Sequence, residues 1–299
     1  MRNIILSACI GLLACSANDP TKPSPSESSA LTTGAQNGKP PIYLALGDSI
    51  SMGFNPFIVA HNAQAYVGFP EYLHELIDIP HTNAGCYGET TGSFLDPTAP
   101  DRGCRDLKEA GLIRAGYTGT QMEFMTGFIQ SHPRLELITI ELGNNDLLRV
   151  VVDECRLDPT CIAVTLPGTF QTMATNLGTI FATIRALGYE GQIVVPLYYD
   201  PFPIVSPAWT DLLTINNGIL AQVAGSFKNT QVVDVRTAFA AASASYGGDP
   251  CAAGLLIPLT GMNEWVTSAP GAQCDAHPTP AGAELIARTI APVVPPHGD

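Results

Sequence analysis

The sequence predicts an α/β protein, a three-layer α/β/α sandwich with a central, mainly parallel sheet of about five strands. Between residues 39 and 292, short apolar runs of strand length alternate with longer helix-like segments about five times, the order that βαβ units generate when helices cover both faces of a parallel sheet. The chain of 299 residues is 45% hydrophobic and 14% charged, so it has the apolar material to bury such a sheet. Neither a repeat of solenoid period nor a second linker interrupts the pattern, which assigns residues 39–299 to one domain.

Residues 42–46 form the first apolar run and end at Gly47-Asp48-Ser49; residues 81–84 are a weaker second. The third, 135–142, stops at Gly143, and residues 192–197 and 231–235 supply the fourth and fifth. Helical candidates lie between them at 70–77, 120–130, 166–187 and 209–227, and residues 281–291 close the domain. In open parallel sheets ligands bind at the carboxyl ends of the strands, so chemistry is expected where these runs end.

Lys and Arg number 14 against 27 Asp and Glu, a formal charge of −13. Such a chain is repelled by phosphate backbones, which argues against a nucleic-acid partner. The acidic residues do not cluster into runs and read as a solvated surface. Met1-Arg2-Asn3, the apolar run 4–13 and Ala14 read as an export signal over residues 1–14, too short for a permanent membrane span. Residues 15–38 are mostly Ser, Thr, Pro, Gly and small polar residues, the composition of a flexible tether. Leu12-Leu13-Ala14-Cys15 resembles the bacterial lipobox, which implies a cell-envelope protein held on a membrane surface by lipid on Cys15. Cleavage at a nearby small-residue site, giving a secreted protein without lipid, is the alternative.

Of eight cysteines, Cys9 leaves with the signal and Cys15 takes the lipid. Six remain, an even number as an exported, oxidised protein should have. They fall as near neighbours, which pairs Cys86 with Cys104, Cys155 with Cys161, and Cys251 with Cys274. A zinc site is the rival reading, but there is no Cys-x-x-Cys pair, so neither metal nor cofactor is expected.

Four stretches carry chemistry. Gly47-Asp48-Ser49 sets a hydroxyl at the carboxyl end of the first strand, where a nucleophile is useful, although a plain strand-ending turn also explains it. Ser51 stands where the Gly-x-Ser-x-Gly elbow needs its last glycine, which disfavours the common α/β-hydrolase arrangement. The third strand ends in Glu141-Leu142-Gly143-Asn144-Asn145-Asp146, whose amide can serve an oxyanion or cap a turn. In the stretch from Asn83 to Thr91 a glycine lets a backbone N–H approach a ligand closely, and a bridged turn through Cys86 explains it equally well. In Cys274-Asp275-Ala276-His277-Pro278 a histidine has a carboxylate two residues away in a loop before the last helix, a suitable general base. His74 adjoins Glu75 inside a helix, where adjacent side chains diverge. His61, His81, His132 and His297 have no adjacent acid and read as surface or packing residues.

Taken in this order, the four stretches resemble the SGNH, or GDSL, hydrolase family of esterases and lipases over nearly the whole globular part. The resemblance implies a flavodoxin-like sandwich with Ser49 as nucleophile and His277 as base. Gly88 and Asn145 would be oxyanion donors beside the Ser49 N–H. One departure stands out: the family has Asp-x-x-His, whereas Cys274 lies three before His277 and Asp275 two before. Either Asp275 reaches the imidazole from a shifted turn, or a backbone carbonyl orients the ring; Asp275 is preferred because a carboxylate stabilises the imidazolium. The implied reaction is hydrolysis of a small-molecule or lipid carboxylic ester through an acyl-enzyme, with Tyr198, Tyr199, Phe202, Trp209, Met262 and Trp265 as candidates to line an apolar pocket. A polysaccharide O-deacetylase of the same family, or a surface lipoprotein that keeps the fold for binding, are the alternatives.

Overall fold

The computed structural model describes residues 41–58, 62–261, 263 and 265–296. The export signal 1–14, the lipidation candidate Cys15, the tether 15–38, His61, Met262 and His297 lie outside the described residues. The first half contains β1 (Ile42–Gly47), α1 (Ser49–Met52), α2 (Phe69–Ile77), β2 (His81–Asn83), α3 (Thr91–Leu95), α4 (Cys104–Glu109), α5 (Gln121–Ser131), β3 (Leu135–Glu141) and α6 (Asn144–Leu148). Then follow α7 (Pro159–Ala186), β4 (Gln192–Pro196), α8 (Pro207–Ala224), β5 (Thr230–Val233), α9 (Val235–Ser243), β6 (Leu256–Pro258), β7 (Cys274–Pro278) and α10 (Pro280–Ile290).

The five parallel strands stand in the order β2-β1-β3-β4-β5. Leu44 is opposite Ile138, which is opposite Ile193, and all three are fully buried. Burial on both faces is why these strands read as continuous apolar runs rather than alternating ones. On one side α10 packs on α2 and α9; on the other α7 packs on α3, α5 and α8. Among the described residues no helix is long and apolar enough to cross a membrane.

Several boundaries differ from the sequence expectation for local reasons. Helix α7 begins at Pro159 rather than 166, because Asp158 caps it by accepting the Cys161 N–H at 2.8 Å and Pro159 occupies its first turn. Helix α5 starts behind Thr120, whose hydroxyl accepts from the Glu123 N–H while the Glu123 carboxylate accepts from the Thr120 N–H. The helices α1, α3, α4 and α6 have four to six residues, too few to show a helical period. The strands β6 and β7 form a separate antiparallel pair, so His277, expected in a loop, stands on a strand. All three near-neighbour disulfides are present.

Chain order reverses at β1, which has β2 on one side and β3 on the other. The crevice at such a switch point, outside the carboxyl ends of the strands, is where this kind of sheet can receive a ligand.

Candidate active site

The crevice is assembled by three strand-end turns. Gly47 closes β1 with φ +136°, and a β-carbon there would sit 2.2 Å from the Glu141 carbonyl oxygen, so only glycine lets β1 pass the end of β3. The Asp48 N–H then donates to that carbonyl at 3.0 Å, and the Asp48 carboxylate caps α1 by accepting the Ile50 N–H at 3.0 Å. Ser49 is thereby held as the first residue of α1, facing the crevice. Past β3, Asn145 stands in the first turn of α6, and its amide donates to the Glu89 carbonyl at 3.1 Å and to Asp48 Oδ2 at 3.3 Å. Gly88 forms the turn between Tyr87, which lines the crevice, and Glu89. Its φ is +73°, and a β-carbon would lie 2.4 Å from the Arg102 backbone, whose N–H donates to the Gly88 carbonyl. The Cys86–Cys104 disulfide fixes the same turn.

On β7, Asp275 and His277 are two residues apart and therefore share a face. Asp275 Oδ1 is 2.5 Å from His277 Nδ1, while its Oδ2 accepts the Thr267 N–H. With Nδ1–H directed at the carboxylate, Nε2 is the nitrogen left to take a proton. Phe54 and Tyr87 flank the imidazole at ring-centroid distances of 5.4 and 5.9 Å. The Cys251–Cys274 disulfide ties the start of this strand to the turn after α9. The other described histidines, His74, His81 and His132, do not line the crevice; His74 stacks on His81 and His132 on Phe128.

Behind these groups lies a set of buried carboxyls that motif reading did not single out. Burial pushes Asp48 up to about 6 against the opposing pull of the Tyr198 hydroxyl, which donates to Oδ2 at 2.6 Å. Asp146 is likewise pushed up to about 6 by burial, although the Thr91 hydroxyl and N–H both donate to it. Glu141 is raised well above the usual carboxylate range by burial and by the neighbouring Asp48. Glu89, also raised by burial, accepts from Ser93 and Gln121. Partners separated by 150 residues, such as Asp48 and Tyr198, leave no local pattern in the chain.

Ser49, Asn145 and His277 open onto one cleft of about 480 Å³, a size ordinary for small-molecule sites. Much of its lining is apolar and includes Leu148, Val151, Ile162, Phe202, Trp209 and Leu212. Tyr198, Tyr199, Phe202 and Trp209 line the cleft as expected, but Trp265 does not: it packs edge-on against Tyr87 and faces a separate cavity of about 340 Å³ beside Phe54 and Tyr66. Among the described residues, one His, Cys, Asp or Glu group has a spacing suited to a metal, Cys86 with Glu89 and Cys104, and its two cysteines are bonded to each other.

The parallel five-stranded sheet flanked by helices is the SGNH-hydrolase sandwich. The family model of GDSL-like lipases and acylhydrolases matches residues 45–285, and the chain belongs to this family. Among curated proteins no sequence matches the chain. The solved structures it resembles include a protein from Parabacteroides merdae ATCC 43184 classed as a GDSL-like lipase, 15% identical, with 84% of this chain and 94% of that one covered at a TM-score of 0.51. Phospholipase A1 from Streptomyces albidoflavus NA297 is 17% identical, with coverages of 85% and 98% and a TM-score of 0.52. A catalytic mutant of an acetylxylan esterase from Geobacillus stearothermophilus is 15% identical, with coverages of 85% and 94% and a TM-score of 0.48. At identities of 15% and 17%, the first two show a likeness of fold alone.

Proposed function

We propose that the protein hydrolyses carboxylic esters with an apolar acyl group, through an acyl-enzyme on Ser49. His277 Nε2 takes the Ser49 proton as Oγ attacks the acyl carbon, and Asp275 stabilises the imidazolium that forms. Asn145 Nδ2, the Ser49 N–H and the Gly88 N–H receive the oxyanion. The imidazolium returns its proton to the leaving alkoxide, and water, deprotonated by the same imidazole, then releases the acid and frees Ser49. This sequence uses no metal or cofactor.

The observation that carries the reading is the convergence of Ser49, Asn145 and the hydrogen-bonded His277–Asp275 pair on one cleft. The placement of the acyl group follows from the character of the lining. The leaving oxygen must lie beside His277 to be protonated, and the acyl chain is left to the apolar lining of the cleft, Leu148, Val151 and Trp209. An acetylated polysaccharide would need a polar platform there instead. We further place the mature protein on a membrane surface of the cell envelope, through lipid on Cys15.

A fluorophosphonate probe is expected to label the peptide containing Ser49, and Ser49→Ala to abolish both labelling and hydrolysis of p-nitrophenyl esters. Labelling that survives the substitution would overturn the assignment. Acetylated xylan assayed beside the acyl esters separates the deacetylase alternative.

A further inference from the structure

Between α6 and α7 the chain makes a π-helical turn, Arg149–Glu154, and then a short loop closed by the Cys155–Cys161 disulfide. Two consecutive residues of this loop that are not glycine, Arg156 and Leu157, have left-handed backbones, with φ 50° and 67°. Contacts of the β-carbon disfavour that conformation, most of all for a bulky side chain. It is held by its surroundings: the Leu157 N–H donates to the Val151 carbonyl at 2.9 Å, the Asp158 N–H to the Cys155 carbonyl at 2.9 Å, and Asp158 caps α7. Strain held in this way collects where a side chain has a task.

The position of Leu157 suggests the task. The residue lines the cleft yet is 54% exposed, and Val152 and Val205, 41% and 44% exposed, line the cleft in the same manner. Deeper in the same wall Val151 and Trp209 are buried. The apolar wall thus continues from the buried interior into a half-exposed aliphatic rim. Glycine would adopt the backbone at 157 without strain, so folding gives no reason for leucine there.

We infer that Leu157 is a specificity-determining residue, the rim over which the acyl chain of a bound ester leaves the cleft, and that the substrates are esters of linear fatty acids long enough to reach it. This rests on the ester-hydrolase reading. Each methylene laid on the wall and removed from water adds about fourfold to binding, whereas methylenes beyond the rim return to water and add little. On p-nitrophenyl esters of increasing acyl length, kcat/KM should therefore rise and then level off.

The test is Leu157→Gly in the mature protein, assayed on butanoyl and dodecanoyl esters. The variant relieves the backbone, so its thermal midpoint should be equal or higher. The dodecanoyl to butanoyl ratio of kcat/KM should fall about 4- to 15-fold, the worth of one or two methylene contacts, with the change in KM. Releasing the loop by Cys155→Ser with Cys161→Ser should lower the same ratio. Calorimetry of dodecanoate binding to the Ser49→Ala protein reads the contact without turnover, and Leu157→Gly should weaken it about fourfold or more. Unchanged ratio and affinity in Leu157→Gly would overturn the inference, as would length selectivity found only on the alcohol side of acetate esters. A wild type that hydrolyses no ester while dodecanoate binding still depends on Leu157 would overturn the hydrolase reading and leave the rim in place.

Discussion

Asp275 Oδ1 lies 2.5 Å from His277 Nδ1 although the two residues are only two apart, because both belong to β7 and project from the same face. A spacing of two sets both side chains on one face of a strand, which a spacing of three would not. Antiparallel pairing with β6, Leu256 opposite Pro278 and Pro258 opposite Cys274, is what makes this segment a strand. Asp275→Asn retains the shape, removes the charge and permits the wrong imidazole tautomer, so kcat is expected to fall by several orders, up to about 10⁴-fold. A loss of tenfold or less, with His277→Ala inactive, would show that the carboxylate is dispensable.

The Asn145 amide donates to the Glu89 carbonyl and to Asp48, and the residue lines the cleft together with Ser49. Asn145→Ala is expected to cost about 10²- to 10³-fold in kcat with little change in KM, since an oxyanion donor acts mainly in the transition state. A change confined to KM would remove it from the oxyanion hole.

Stability should favour mild acid. Asp48 and Asp146 are raised to about 6 by burial, against an ordinary value of 3.8, so between these limits the folded protein keeps protons that the unfolded chain has lost. That stabilisation is complete below about pH 4 and is lost as pH rises through about 6, each group contributing about 1.4 kcal/mol for every pH unit across that window. Urea unfolding is expected to give a larger free energy at pH 5 than at pH 7.5, and Asp146→Asn to flatten the difference. The opposite slope in the wild type would contradict it.

The proposed lipid on Cys15 has a direct readout. Protein from the native host is expected to partition into detergent, and Cys15→Ser to move it to the aqueous phase. Wild type found entirely in the aqueous phase would favour ordinary secretion instead.

The inner strands β1, β3 and β4 were legible in the sequence because they are largely buried on both faces: residues such as Leu44, Ile138 and Ile193 read as apolar runs whatever packs on them. The cysteine pairs were legible because each joins near neighbours, 18, 6 and 23 residues apart. Ser49, Asn145 and His277 could be picked out because their motifs are local and come in a recognisable order. The helices of four to six residues were not legible, since they are shorter than the period that reveals a helix.

Only the tertiary structure decided how the parts act on one another. Whether Asp275 meets His277 depends on β6 pairing with β7, and a loop and a strand place residues at a spacing of two quite differently. The Tyr198 hydroxyl on Asp48, the Thr91 pair on Asp146 and the displacement of Trp265 from the cleft each join residues far apart in the chain. Leu157 reads in sequence as an ordinary apolar residue; its exposure and left-handed backbone arise from the disulfide and hydrogen bonds around it. The physical reason is common to all of them: local pattern records what a segment buries, while register, side-chain distance and cleft shape are set by segments that meet only after the chain has folded.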